Sequence, residues 1–117
     1  MHQKSEIAGR TYDFALNVVL ITTKLPSNPA NQVMIRQVIR SATSIGANIE
    51  EALGGHTKND FTYGMNVAKK EARETRYWLR LLADLNSNYR QKIEKLLKEN
   101  KEIINILTKI VKTSAGK

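Results

Sequence analysis

Apolar residues recur at alternating spacings of three and four through almost the whole chain, and only three short segments interrupt the pattern. This spacing places one apolar side chain per turn on a single face of an α-helix. Three such heptad series are Ile35, Val38, Ala42, Ile45, Ile49 and Ala52; Phe61, Met65, Ala68, Ala72, Thr75, Leu79 and Leu82; and Ile93, Leu97, Asn100, Ile104, Leu107 and Val111. Because no strand-like alternation competes with them, the sequence predicts an all-α protein whose helices pack at shallow angles.

The interrupting segments contain the turn-forming residues and cover 25–29, 54–57 and 85–88. Both prolines fall in the first segment, where Asn28 before Pro29 is typical of a helix start. In the second segment, Gly54-Gly55 predicts a left-handed helix end, because glycine adopts that conformation without strain. Thr57 then has the capping-box position that begins the next helix. Four helices are therefore expected.

The predicted helices cover about 5–24, 29–54, 58–85 and 88–112, and the tail 113–117 is predicted to be frayed. Because the turns are short, consecutive helices should be antiparallel. We therefore expect one domain over residues 1–117, folded as an up-down-up-down antiparallel four-helix bundle. Small residues should let the second and third helices approach closely; they are Gly46, Ala47, Ala68 and Ala72.

The composition excludes disulfide chemistry and offers no membrane-spanning segment. The 117 residues include no cysteine, which fits a reducing compartment. The longest uninterrupted apolar run covers only residues 18–21, far short of a membrane span, and the polar N-terminus lacks a signal-peptide core. We therefore expect a cytoplasmic protein with no membrane partner.

Arrangements of residues that support catalysis are missing from the sequence. His2 and His56 are isolated, so no metal-ligand spacing such as His-Glu-x-x-His exists. No glycine-rich phosphate loop follows a strand, and no serine has an evident neighbouring base. The sequence therefore predicts a protein without enzymatic activity, cofactor or metal.

The chain is strongly basic, and its positive charge is concentrated in the second half. The formal net charge is +8, and residues 86–117 alone contain eight basic and three acidic residues. A basic surface attracts polyanions, nucleic acids first among them. The alternative interpretation of residues 86–117 is a lysine-coated helix face that serves only solubility.

Basic residues spaced 4-3-4 run along the predicted third helix and form what we call the basic stripe: Lys69, Arg73, Arg76 and Arg80. Tyr77 lies among them, four residues after Arg73 and three before Arg80. Arginine binds phosphate through paired donors, and an aromatic ring among arginines can stack an unpaired base. The stripe with Tyr77 is therefore the candidate nucleic-acid site. The alternative is a solvated face held by ion pairs, for example between Glu74 and the turn of Arg80.

The predicted second helix carries a line of polar residues beside its apolar face: Gln37, Ser41, Ser44, Asn48 and Glu51. Serine and asparagine are poor helix formers at mid-helix, so the line is either plain solvent exposure or a satisfied polar seam. Across the hairpin with the third helix, Asn48 and Glu51 could reach Lys70 or Arg73. Such contacts fix register more than they add stability. We interpret Ser44, Asn48 and Glu51 as a structural polar seam and not as a catalytic group.

Several apolar faces are wider than one heptad series. The additional residues are Leu16, Val19 and Leu20 in the first helix, Trp78, Leu81 and Leu85 in the third, and Leu96, Ile103, Ile106 and Ile110 in the fourth. A monomeric bundle need not cover so much of each helix, so a homo-oligomer is expected. The alternatives are a thick core with a few exposed aliphatic residues, and an adaptor whose basic and apolar faces contact a protein partner.

Two sequence segments, at residues 40–52 and 73–80, resemble those of the bacterial four-helix-bundle family of 23S rRNA intervening-sequence proteins. The matching positions are Arg40, Ser44, Ile45, Asn48, Ile49 and Glu51 on the second helix, and Ala68, Glu74 and Leu79 on the third. The resemblance spans nearly the whole chain in length and helix order, and it is specific over about residues 35–82. Ala52 departs from the glycine that usually follows the glutamate, and Lys70-Glu71 stands where many members have Gly-Ser.

The resemblance implies a barrel-like homopentamer of bundles without known enzymatic activity. Genes of the family are associated with insertions in large-subunit ribosomal RNA. A related branch, the accessory proteins of diversity-generating retroelements, is pentameric and binds a reverse transcriptase and nucleic acid through a basic surface. The expected partners are therefore further copies of this chain, RNA or DNA, and a protein such as a reverse transcriptase. The extra charge at Lys70-Glu71 leaves the identity of that partner open.

Overall fold

The computed structural model describes residues 6–116 and contains four α-helices packed as a bundle. They are α1 (Glu6–Thr22), α2 (Pro29–Leu53), α3 (Lys58–Leu85) and α4 (Arg90–Gly116), with a 3₁₀ turn over Ser87–Tyr89 before α4. The prediction of an all-α four-helix bundle is confirmed. Three features of the sequence prediction lie outside the described residues: the start of the first helix at position 5, His2, and Lys117.

The helices follow one another around the bundle, and α1 closes the ring against α4. Two contacts show that α2 and α3 are antiparallel. Ala52 near the end of α2 lies against Gly64 near the start of α3. Thr75 donates a hydrogen bond to Ser41 Oγ at 2.8 Å, further toward the other end of both helices. This is the up-down-up-down order that short turns favour.

The heptad series form the core of the bundle. Their buried members are Val38, Ala42, Ile45, Ile49 and Ala52 in α2, Met65, Ala68, Ala72, Thr75, Leu79 and Leu82 in α3, and Ile93, Asn100 and Leu107 in α4. From α1, Phe14 and Val18 complete this layer. The remaining members of the series are partly buried and pack against the core; they are Ile35, Phe61, Leu97, Ile104 and Val111. The spacing of apolar residues therefore determines which face of each helix is buried.

The helix starts follow the capping signals of the sequence, but one helix end does not. Asn28 Oδ1 accepts a hydrogen bond from the Asn31 amide at 2.8 Å. Thr57 accepts one from the amide three residues later. The left-handed end predicted at Gly54-Gly55 is wrong, because Gly54 has φ −91° and ends α2 through hydrogen bonds to its last carbonyls. The second glycine meets a steric requirement, because a Cβ on Gly55 would lie only 3.2 Å from the Ala52 carbonyl oxygen.

The last helix is longer than the sequence predicted. It continues through Gly116, so the prediction of a frayed tail is wrong for residues 113–116. The hydroxyl of Ser114 forms a hydrogen bond with that of Thr62 on α3, and Ile110 and Val111 pack against the core one turn earlier. Tertiary contacts with α3 therefore stabilise a terminal turn whose own sequence is a poor helix former.

Buried amides tie the turns to the helices. Asn31 and Asn86 donate to each other's Oδ1 at 2.9 Å, and Asn31 also donates to the Pro26 carbonyl at 2.8 Å. Asn100 donates to the Ala72 carbonyl at 3.0 Å across the α3–α4 contact. Because burying an amide without a partner is costly, the reciprocal pair of Asn31 and Asn86 favours one register over shifted ones.

The closest approach of α2 and α3 occurs at a glycine that the sequence prediction did not name. A Cβ on Gly64 would lie 2.7 Å from Ala52 Cβ, closer than non-bonded carbons approach. Gly46, expected at this contact, instead faces α1, where a Cβ would lie 3.4 Å from Thr11 Oγ1. Ala68 and Ala72 are fully buried, as a close helix pair requires.

We expect Gly64→Ala to lower the free energy of unfolding by about 1–3 kcal/mol, because overpacking outweighs the gain in helix propensity. Gly46→Ala is the matched control. It should leave stability unchanged or raise it by up to about 1 kcal/mol, because its Cβ has ordinary contact room. Urea denaturation followed by circular dichroism measures the free energy of unfolding of both variants. The slope of that free energy against urea concentration should stay unchanged. Equal stability of the two variants would contradict this account.

Candidate nucleic-acid interface

The basic stripe lies on the surface of α3, on the side that turns toward α4. The buried residues Ala72 and Leu79 fix the rotation of α3, and the stripe runs along the edge of that buried face. Arg73, Arg76 and Arg80 are exposed, whereas Lys69 is half-buried. Partial burial of a lysine covers the aliphatic part of its side chain and leaves the ammonium group in water. The structure therefore brings the four predicted basic residues onto one accessible strip of one helix.

The arginines of the described chain fall into a paired and an unpaired group. The paired arginines are Arg10 with Glu99, Arg40 with Glu71 and Glu74, and Arg90 with Asp84 and Glu94. The hydrogen bond from Arg10 to Glu99, at 2.6 Å, raises the pKa of the Arg10 guanidinium. Within residues 6–116, no carboxylate lies in ion-pair distance of Arg73, Arg76 or Arg80.

The alternative interpretation of the stripe, a solvated face held by ion pairs, therefore does not describe this surface. Glu74 pairs with Arg40 of α2 and not with the turn of Arg80. Asp84 pairs with Arg90, at 3.1 Å, and not with an arginine of the stripe. Three like charges along one helix repel one another, so an anion that neutralises them would be bound favourably.

A groove between α3 and α4 extends the stripe with lysines of the neighbouring helix. It has a volume of about 590 Å³, and we call it the basic groove. Its lining residues are Arg76, Arg80, Gln91, Glu94, Lys95, Leu97, Lys98 and Lys101. Sequence reasoning did not single out the three lysines. The signal that could have found them was the charge excess of residues 86–117 combined with their spacing of three.

The ring of Tyr77 is exposed and is held in place from one side. It is 53% exposed, and its centroid lies 5.2 Å from that of Trp78 in an edge-to-face contact. Trp78 Nε1 donates to Glu74 Oε2 at 3.0 Å, and Glu74 also pairs with Arg40 of α2. A chain of contacts from α2 therefore orients the aromatic ring that lies between the arginines of the stripe.

Comparison with known proteins assigns the chain to a family. A sequence profile described as 23S rRNA-intervening sequence protein matches residues 3–109. The chain belongs to that family. Among solved structures, it is similar to a protein of unknown function from the S23 ribosomal protein family of Bacteroides thetaiotaomicron VPI-5482, with 37% identity and a TM-score of 0.82. The match covers 91% of this chain and 98% of that chain. No curated protein matches at the level of sequence.

The polar seam predicted for this family member is not formed across α2 and α3 in the described part of the chain. Asn48 donates to the Ser44 carbonyl of its own helix at 2.8 Å, and Glu51 is exposed. The buried polar contact between the two helices is instead the hydrogen bond between Ser41 and Thr75. Ser41 belonged to the predicted polar line, whereas Thr75 was assigned to the apolar series.

Two further kinds of site are absent from the described part of this family member. No cluster of three or more His, Asp or Glu side chains within residues 6–116 could hold a metal ion. Over the same residues, no helix combines the length and the apolar character needed to cross a bilayer.

We expect Glu74→Ala to loosen Trp78, because the indole loses its acceptor and the link to Arg40. Acrylamide quenching of the fluorescence of this single tryptophan should increase, while stability falls by less than about 1 kcal/mol because the ion pair is largely exposed. Glu51→Ala, on an exposed carboxylate without an ion pair in the described chain, is the control. Quenching equal to that of the control would show that Glu74 does not hold the ring.

Proposed function

We propose that this protein is a non-enzymatic, homo-oligomeric scaffold of the cytoplasm that binds RNA or other nucleic acid through its basic surface. The observation that carries the proposal is the absence of carboxylate partners around Arg73, Arg76 and Arg80 in the described chain, whereas Arg10, Arg40 and Arg90 are paired. Carboxylates are available on the same helix, at Glu74 and Asp84, but they pair elsewhere.

Physical chemistry favours nucleic acid as the anion. Guanidinium groups bind phosphate through two donors and lose less hydration than ammonium groups when they do so. A row of them matches a polymer of phosphates better than a single small anion, because each contact releases further counterions. The net charge of +8 would also steer a polyanion toward the protein at low salt.

Family membership agrees with an RNA partner. The family is named for intervening sequences of 23S rRNA, and the similar protein from Bacteroides thetaiotaomicron has no known function. The name supports an association with ribosomal RNA for the family. The residues of this chain add the surface through which such an RNA would be bound.

The triple variant R73Q/R76Q/R80Q should lose most RNA binding at low salt, with a shallower salt dependence because several phosphate contacts disappear. A filter-binding titration of purified RNA measures this. Arg36 on α2 is exposed and also lacks an ion pair in the described chain. R36Q is therefore the matched control for the single substitution R76Q. Unchanged RNA retention in the triple variant would refute the assignment of the stripe.

Homo-oligomerisation is supported by an exposed apolar face on α1. Its residues Tyr12, Leu16 and Leu20 are 62%, 48% and 51% exposed and lie one turn apart. Beside them, a surface groove of about 400 Å³ runs between α1 and α2 and is lined by Gly46 and Ala47. Burying such a face against a second copy removes apolar area from water. The pentameric number is carried over from the resemblance to the family.

We expect Leu16→Glu to dissociate the oligomer, because a charge on the buried face of the interface has no partner there. Light scattering coupled to size exclusion measures the mass, with and without nuclease, so that bound nucleic acid and subunit number are separated. Tyr63→Glu, on an exposed aromatic of α3, is the control and should keep the wild-type mass. An L16E protein with the mass of the wild type would exclude α1 from the interface.

A second candidate is a protein-interaction adaptor, in which the basic and apolar faces contact a protein partner such as a reverse transcriptase, or neighbouring subunits. The observation that favours it is exposed apolar surface on α3, at Tyr77 among the arginines and at Leu85 near the end of the helix. In an assembly the arginines could also pair with Glu50 or Glu51 of a neighbour, both of which are exposed. Recovery of the same protein partner after nuclease treatment, with loss of RNA binding, would favour this function.

A further inference from the structure

We propose that the basic groove between α3 and α4 binds the phosphate backbone of an unpaired nucleic-acid strand, and that Tyr77 stacks one base of that strand. This inference rests on the proposed nucleic-acid function and specifies the form of the ligand. It also assigns a role to Lys95, Lys98 and Lys101, which no comparison with other proteins indicates.

The groove differs in charge from the cleft between α1 and α2. Five of its eight lining residues are cationic, and Glu94 is its only carboxylate. Glu94 lies 3.9 Å from Arg90 outside the groove, so its charge is partly compensated. By contrast, the cleft between α1 and α2 contains Glu50 and no basic residue. An anionic polymer is therefore favoured at the α3–α4 cleft and disfavoured at the α1–α2 cleft.

The spacing of the cations fits a chain of phosphates. Lys95, Lys98 and Lys101 recur every three residues and so span about 9 Å along the helix axis. Arg76 and Arg80 are one turn apart on the opposite wall, about 6 Å along the axis. A stacked strand carries one phosphate per about 3.4 Å of its axis, so the groove is long enough for about three phosphates.

The width of the groove favours a single strand. Packed helices touch with their axes about 8–10 Å apart, so the groove is a surface cleft over their contact, which one backbone can follow and a duplex cannot enter. A duplex could contact only the rims, and its paired bases would not reach Tyr77. An unpaired strand can place its phosphates in the cleft and turn a base onto the ring, which is the usual mode of single-strand recognition.

Tyr77 is suited to that role because its ring already contacts Trp78 without a ligand. It follows Arg76, a groove residue, and precedes Arg80 by one turn. Its edge-to-face contact with Trp78 leaves more than half of the residue exposed. A base that stacks on a ring already held in place loses less binding free energy to ordering than one that must first immobilise the ring.

The test compares single-stranded and duplex ligands on matched variants of the full chain. Fluorescence anisotropy is measured with labelled oligouridine, oligothymidine and an RNA duplex of equal length, over a range of salt concentrations. The groove variant is K95Q/K98Q/K101Q, and its charge-matched control outside the groove is K58Q/K109Q/K112Q, at three exposed lysines. The aromatic variant is Y77L, and its control is Y63L, on a tyrosine of the same helix that is 74% exposed.

We expect the groove variant to bind oligouridine about tenfold or more weakly than the wild type, and its salt slope to fall by about 2, at about 0.7 per lost phosphate contact. Y77L should weaken single-strand binding by about fivefold or more, as the loss of one stacked base does, and leave duplex binding unchanged. Oligothymidine should respond as oligouridine does if the backbone and one ring carry recognition. Both control variants should bind as the wild type does.

Other results would overturn the inference in distinguishable ways. Equal losses in the two lysine triples would show a general charge effect and not a groove. Tighter binding of the duplex than of either single strand would exclude the unpaired ligand. Loss of binding in R73Q/R76Q/R80Q with full binding in K95Q/K98Q/K101Q would refute the groove while the proposed function stands. A wild-type protein that binds none of the three ligands at low salt would refute both. Thermal melts by circular dichroism confirm that each variant is folded.

Discussion

The close packing of α2 against α3 determines which residues this protein presents to its surroundings. Gly64 brings the two backbones together at Ala52, and the hydrogen bond between Ser41 and Thr75 holds the same faces together further along. Because α3 is a continuous helix of 28 residues, its rotation at this contact is kept along its whole length. The basic stripe therefore has a fixed direction, toward α4, which is why arginines of α3 and lysines of α4 line one cleft.

The same packing separates the structural charges from the unpaired ones. Arg40 lies across the α2–α3 contact from Glu74 and pairs with it, and Arg10 joins α1 to Glu99 of α4. Exposed pairs of this kind add little stability each, but they occupy the nearby carboxylates. The three arginines of the stripe have no ion-pair partner in the described chain, so an anionic ligand or partner would relieve their mutual repulsion.

Much of the fold could be predicted from the sequence, because helical periodicity and capping residues are local signals. The heptad series identified the buried faces, and Asn28 and Thr57 marked helix starts. The errors arise where contacts between residues far apart in the sequence determine the structure. The end of α4 depends on Thr62 of α3, and the role of Gly64 depends on the position of Ala52.

The candidate site shows the same division. Its α3 residues could be identified from spacing alone, since they share one helix face. Lys95, Lys98 and Lys101 form a recognisable basic row in the sequence. Their position beside the stripe could not be predicted, because it depends on the rotation of α4 against α3. The polar seam failed for a related reason. Spacing placed Ser44, Asn48 and Ser41 on one line, but of these three only Ser41 forms a side-chain hydrogen bond with α3.

The proposed oligomerisation and the proposed strand binding would place opposing demands on α3 that the geometry can reconcile. A closed ring with more than two subunits uses two different faces of each chain, so the apolar face of α1 needs a complement elsewhere on the bundle. If that complement included Tyr77, assembly would cover the ring that a base needs. The cleft near Phe61, Ile106 and Ile110, about 550 Å³ in volume, lies toward the opposite end of α3 and α4 and offers apolar surface away from the basic groove. A ring built through that cleft would repeat the basic groove once per subunit, and weak grooves on one strand would then act together through their effective concentration.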